Sequence, residues 1–162
     1  MQPDSRILDL LKQDSRLSFE QIAERLDLTA EAVAEGVAWF ERHKVIRGYS
    51  ALIDDDNLPE QRVRAVIEVS VEPERDSGFD RVARALARFN EVSDVMLISG
   101  DYDLLLVVNG ETLQDVANFV ASKLSPLKGV QSTRTHFLLK KYKEAGVQFH
   151  EEEEYERLAV TP

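Results

Sequence analysis

The 162-residue sequence predicts an α+β protein in two parts, a helix-turn-helix unit followed by a ferredoxin-like βαββαβ unit, and three observations carry that prediction. Apolar residues recur at helical spacing between capping residues over the first 50 positions. A charged stretch containing Pro59 interrupts the chain at residues 54–60. Beyond it, period-two and helical patterns alternate in the order strand, helix, strand, strand, helix, strand.

Ile7, Leu10 and Leu11 make the apolar stripe of a first helix. Ser18, with Gln21 three residues on, is the capping box of a second, whose stripe is Phe19, Ile22, Ala23 and Leu26. Thr29 caps a third, with Val33, Val37 and Phe40 inward. Only Asp27 and Leu28 separate the second helix from the cap of the third, so the two must cross steeply. Residues 45–53 are β-branched and aromatic in character and read as an extended strand. Val63, Ala65, Ile67, Val69 and Val71 then alternate with Arg64, Glu68, Ser70 and Glu72, the mark of a half-buried strand. A helix on Phe79, Val82, Ala83 and Leu86 follows, with strands at 92–99 and 102–108 joined by Gly100 and Asp101. Thr112 caps a helix with the stripe Leu113, Val116, Ala117, Val120 and Leu124, and residues 130–139 form the closing strand. The expected domains are 1–50 (helix-turn-helix), 51–61 (strand and linker), 62–145 (ferredoxin-like) and 146–162 (acidic tail). Two helices cover only one face of four strands, so the other face is expected to be buried by another subunit, as a homodimer or a higher even-numbered oligomer.

Composition narrows the function classes. With no Cys, the chain has no thiol nucleophile, thiolate zinc cluster or disulfide. No apolar stretch approaches the roughly 18 residues of a membrane span, and the first residues form neither a basic nor an apolar leader, so the expected address is the cytoplasm with no membrane partner. The net charge of −10 argues against a generic polyanion binder, but the deficit is local. Residues 1–50 hold seven Lys or Arg against nine Asp or Glu, while residues 51–60 and 151–162 contribute −4 each.

The helix pair is the strongest functional signal. A steep helix-turn-helix with a short link can set its second helix into a DNA major groove about 12 Å wide, its first residues facing base edges. Those residues are Thr29, Ala30, Glu31, Ala32 and Glu35, while Arg16, Ser18, Arg42, Lys44 and Arg47 flank them toward the phosphates. The third helix carries two Glu where bases would lie and no cation before Arg42, so affinity must come from the rim and from paired units. The competing reading is three small helices that merely pack together.

The residues Asp14 to Ser18, Ile22 to Leu26, Leu28, Thr29, Val33, Val37 and Glu41, then Val45 to Tyr49, then Gly100, Asp101, Tyr102, Asp103 and Leu104, resemble the Lrp/AsnC (feast/famine) family of transcription regulators in order and spacing, over nearly the whole chain. The resemblance implies an N-terminal winged helix-turn-helix that binds double-stranded DNA and a ferredoxin-like module that dimerises through its sheets and takes an amino acid between subunits. It also implies two departures: the family has an Arg where Gly36 stands, the loss of a phosphate or structural contact, and a Gly where Lys44 stands.

Gly100, Asp101, Tyr102 and Asp103 are the candidate effector site, a strand-to-strand turn whose Asp103 could accept from an ammonium while main-chain N–H groups take a carboxylate. Ser132, Thr133 and Thr135 could add hydroxyls. The plain alternative is a hairpin turn with Gly at positive φ and Asp in an Asx-turn. An enzyme is not expected: His43, His136 and His150 lie far apart, outside any metal-ligand spacing, and neither a nucleophile elbow nor a phosphate loop is present. No cofactor or metal is expected. Two alternatives stand beside the regulator: a ligand-binding or interaction module that has kept the fold without DNA recognition, and an enzyme like the haem-pathway decarboxylases that share this architecture.

Overall fold

The computed structural model describes residues 2–60, 62–72 and 78–149. Two compact units divide at Ile53 and Asp54, with Glu144–Val147 grouping with the first.

The first unit is built from α1 (Arg6–Gln13), α2 (Phe19–Leu26) and α3 (Ala30–Arg42). Its core is Ile7, Ile22, Ala23, Val33, Val37 and Phe40. The caps form as the residue types dictate. Ser18 Oγ accepts from the Gln21 N–H at 3.2 Å while the Gln21 side chain accepts from the Ser18 N–H at 2.9 Å. Thr29 Oγ1 accepts from the Ala32 N–H at 3.2 Å; each such cap contributes about 1 kcal/mol. Phe19, expected in the inner stripe, is instead 42% exposed at the first turn of α2. Asp27 ends α2 in the left-handed conformation, φ 56°, which lets the chain turn within two residues.

Residues 45–53 do not form the expected strand. They form no ladder among the described residues, and Val45, Tyr49, Leu52 and Ile53 are all exposed. β-branched composition favours extended backbone, but a strand exists only where a neighbour takes its hydrogen bonds. The linker that follows tightens into a 3₁₀ turn at Asp55–Asn57, capped by Asp54.

The second unit holds β1 (Val63–Val71), α4 (Asp80–Leu86), β2 (Val92–Leu97), β3 (Leu104–Gly110), α5 (Leu113–Phe119) and β4 (Val130–Phe137). The sheet order is β2-β3-β1-β4, antiparallel throughout, as the βαββαβ pattern predicts. Ala65, Ile67, Val69 and Val71 of β1 and Leu104, Leu106 and Val108 of β3 are buried, packed with Val82, Leu86, Val116, Phe119 and Leu124 of the helical layer. The helix after Thr112 departs from its expected stripe: Leu113 and Ala117 face outward, and Phe119 takes the inner place. The chain slips into a π-helical turn at Val120–Leu124, which returns Leu124 to the core. A short hairpin, β5 (Lys143–Glu144) with β6 (Val147–Gln148), turns at Ala145 and Gly146. The tail boundary expected at 145/146 falls in that turn, and residues 150–162, His150 among them, lie outside the described residues.

Lys44, just past α3, sits at φ 58°, a conformation that costs a residue with a Cβ about 1 kcal/mol and glycine nothing. Lys44→Gly is therefore expected to stabilise the helical unit by roughly 0.5–1 kcal/mol, measured by chemical denaturation; a loss of stability would show that the Lys44 side chain makes compensating contacts.

Candidate nucleic-acid interface and effector turn

Burying Val33, Gly36, Val37 and Phe40 fixes the roll of α3, and the opposite face carries Glu31, Glu35 and Arg42, all exposed. Ala32 is also exposed, on the flank shared with Glu35 and Trp39, where an open groove runs past Pro3 and Ile7. The Ser18 and Thr29 hydroxyls accept the cap hydrogen bonds at the N-termini of α2 and α3, a role that leaves each O–H able to donate. Arg16, Arg42, Lys44 and Arg47 are exposed, and none forms an ion pair among the described residues. Their charge is thus available to an external anion.

Gly36 does not lie on this outer face. A Cβ there would meet Ile7 Cδ1 at 3.0 Å and Pro3 Cβ at 3.3 Å. Of the phosphate or structural contact expected to be lost there, the packing fits the structural one: the position looks into α1, where a small residue permits close packing of the two helices. Sequence reasoning also missed how the end of α3 is held. His43 stacks on Trp39 with ring centroids 3.8 Å apart, and its Nδ1 donates to the Trp39 carbonyl at 2.8 Å. The Tyr49 hydroxyl donates to Glu41 at 3.0 Å, and burial, then that bond, raises its pKa.

The connection between β2 and β3 carries the second candidate site. Its ends are closed by the Ile98 N–H donating to the Asp103 carbonyl at 2.8 Å and the Asp103 N–H donating to the Val69 carbonyl at 3.1 Å. The Asp103 carboxylate accepts from the Val71 N–H at 2.8 Å. Gly100 is not at positive φ, and a Cβ on it would meet only Ile98 Cγ2 at 3.9 Å, so neither the backbone nor local packing requires glycine there. Asp101 is exposed and Tyr102 half-buried.

The three hydroxyl residues of β4 do not join this turn as a group. Thr133 and Thr135 pair with Val69 and Ile67 and so share the helix-covered face, whereas Ser132 pairs with Ser70 on the opposite one. β1 lies between β4 and β3, which puts β4 about 9.5 Å from β3.

Among the described residues of the second unit, nothing covers the sheet face away from the helices. Val66, Leu105, Val107 and Met96 form its apolar part, and Glu68, half-buried, receives Arg134 Nη1 at 3.4 Å and His136 Nε2 at 3.2 Å. His136 thus belongs to a surface polar cluster around Glu68. No group of three metal-ligating side chains occurs among the described residues, nor is any described helix long and apolar enough to cross a membrane.

Residues 3–38 match the family model for the AsnC-type helix-turn-helix domain, and residues 64–148 that for the Lrp/AsnC ligand binding domain. The chain is 42% identical to the HTH-type transcriptional regulator YugG of Bacillus subtilis over 98% of its own length and 96% of that protein's. It is 27% identical to the leucine-responsive regulatory protein of Escherichia coli, covering 88% of this chain and 86% of that one. Among solved structures, the transcriptional regulator NMB0573 of Neisseria meningitidis in its L-Met complex is similar at a TM-score of 0.69 and 25% identity, over 86% of this chain and 89% of that one.

Proposed function

Because the chain belongs to the Lrp/AsnC family of DNA-binding transcription regulators, not to an enzyme family, we propose that it is tuned by an amino acid held at the turn of residues 100–103 against a second subunit. The observation that carries the DNA-binding part is the exposed α3 face flanked by Arg16, Arg42, Lys44 and Arg47, cations that no described side chain neutralises. Thr29, Glu31, Ala32 and Glu35 lie where base edges pass. The two carboxylates can accept from cytosine amino groups, Ala32 can meet a thymine methyl, and the flanking cations grip phosphates. Like charge between Glu31, Glu35 and the backbone lowers the affinity of one unit. Two units on half-sites about 34 Å apart, or a multiple of that, restore it.

Pairing follows from the uncovered sheet face, whose Val66, Leu105, Val107 and Met96 gain by leaving water in a homodimer or a larger even-numbered assembly. The effector reading draws support from the ligand-binding family match and from a solved neighbour holding L-methionine. Gly100 adds to it: with no conformational need for glycine, the missing Cβ serves close approach of a ligand or partner atom. A ligand that favours one assembly over another by about 1–3 kcal/mol would regulate promoter occupancy in the cytoplasm.

DNA binding is tested by anisotropy titration of the chain's own upstream DNA across a salt series, with and without amino acids. Affinity should fall linearly in log–log form, Arg42→Ala should reduce the slope by about one per engaged protomer, and one amino acid should shift the curve. A folded protein that binds no DNA below about 50 mM salt would instead favour the module that has given up DNA recognition. Gly100→Ala provides a separate check: unchanged thermal stability with amino-acid affinity reduced about tenfold or more, read by calorimetric titration. Unchanged affinity would remove Gly100 from the site.

A further inference from the structure

The β1–β3 ladder ends at the pair Val69 and Leu104, yet β1 continues to Val71. Alternate residues of a strand direct their main-chain groups to the same side. The Val69 carbonyl meets the Asp103 N–H, so the Val71 N–H also points toward β3, at a level where β3 has no residue left to receive it. Val71 is 3% exposed, and a buried N–H without an acceptor is costly. The Asp103 carboxylate supplies that acceptor, at 2.8 Å, in place of the missing rung. On the other side of the same residue the β1–β4 register slips between Ser70 and Val71, and the Glu72 N–H turns to the Gly129 carbonyl. The turn of residues 98–103, the end of β1 and the irregularity in the β1–β4 pairing are therefore tied through one side chain.

We propose that Asp103 is a positioning residue, which holds the 98–103 turn onto the end of β1 through the Val71 N–H, and that it does not supply the charge that recognises the effector's ammonium. This deepens the reading of the turn as the effector site and rests on it. What the site requires at position 103 is an acceptor of the right reach, not a negative charge. The ligand's polar ends then fall to the residues before it in the turn and to whatever a second subunit brings.

Asp103→Asn separates the two roles, because the amide keeps an acceptor oxygen and loses the charge, while Asp103→Ala loses both. Both are made in the full chain. Exchange of the Val71 amide is followed by NMR, and binding of L-methionine, then of the other proteinogenic amino acids, by calorimetry. Asp103→Asn is expected to keep Val71 exchange and amino-acid affinity within about threefold of the parent, and Asp103→Ala to speed exchange about tenfold and to lose binding. Asp103→Asn that loses binding while Val71 stays protected would make Asp103 a ligand contact and overturn the proposal, as would Asp103→Ala that leaves Val71 exchange unchanged. Should Asp103→Ala fail to fold, Asp103→Asn alone still distinguishes acceptor from charge. If the parent binds no amino acid, the effector reading fails, and the exchange measurements still decide whether Asp103 holds the turn.

Discussion

Burial of one side of a four-stranded sheet organises the second unit and dictates what it must do next. β1 and β3 alternate completely buried residues, such as Ile67 and Leu106, with half-buried ones, such as Val66 and Leu105. The first set has α4, α5 and the π-helical turn above it. The second has no described helix of its own unit above it. Apolar sheet surface of that kind is stable in water chiefly when it meets another surface, and the polar cluster of Glu68, Arg134 and His136 at its β4 side gives such a meeting a polar boundary. Under the proposed function, pairing of helix-turn-helix units and an effector site shared between subunits both depend on that contact.

The helical unit poses a different balance. Caps and a small apolar core set the position of α3, and the face it leaves outward carries Glu31 and Glu35 as well as Arg42. Recognition by such a surface relies more on geometry and on the flanking cations than on the attraction of its centre. An acidic overall charge is compatible with this because the excess lies in residues 51–60 and 151–162, away from the rim residues in sequence.

Most of the architecture was legible in the sequence because it rests on local rules. The caps at Ser18, Thr29 and Thr112 and the alternation in β1 follow from spacing, and strand ends moved by only about two residues. What was not legible depends on neighbours distant in sequence. Residues 45–53 have strand composition but form no ladder among the described residues, which composition cannot report. Leu113 lies exposed in the first turn of α5 while Val116 and Phe119 face the core, a roll that the apolar spacing alone did not fix. Gly36 read as a lost phosphate or structural contact, and only the fold shows that Pro3 and Ile7 close over it. Ser132 and Thr133 looked like one hydroxyl group and lie on opposite faces. Asp103 was visible as a carboxylate in a turn, but its bond to Val71 spans 32 positions and appears only once β1 outruns β3. Lys44 is the converse case: a departure read from the resemblance whose cost the backbone makes plain.

The most direct test of the account is the oligomeric state of the full chain and of a variant altered only on the uncovered sheet face. Leu105→Lys places a charge on that face between Met96 and Glu68, next to Val66 and Val107, without touching the helix-covered core. Sedimentation equilibrium at about 10 µM should show a dimer or larger even-numbered assembly for the parent and a folded, smaller species for the variant. A parent that is monomeric and folded at that concentration, or a variant that assembles as the parent does, would contradict it.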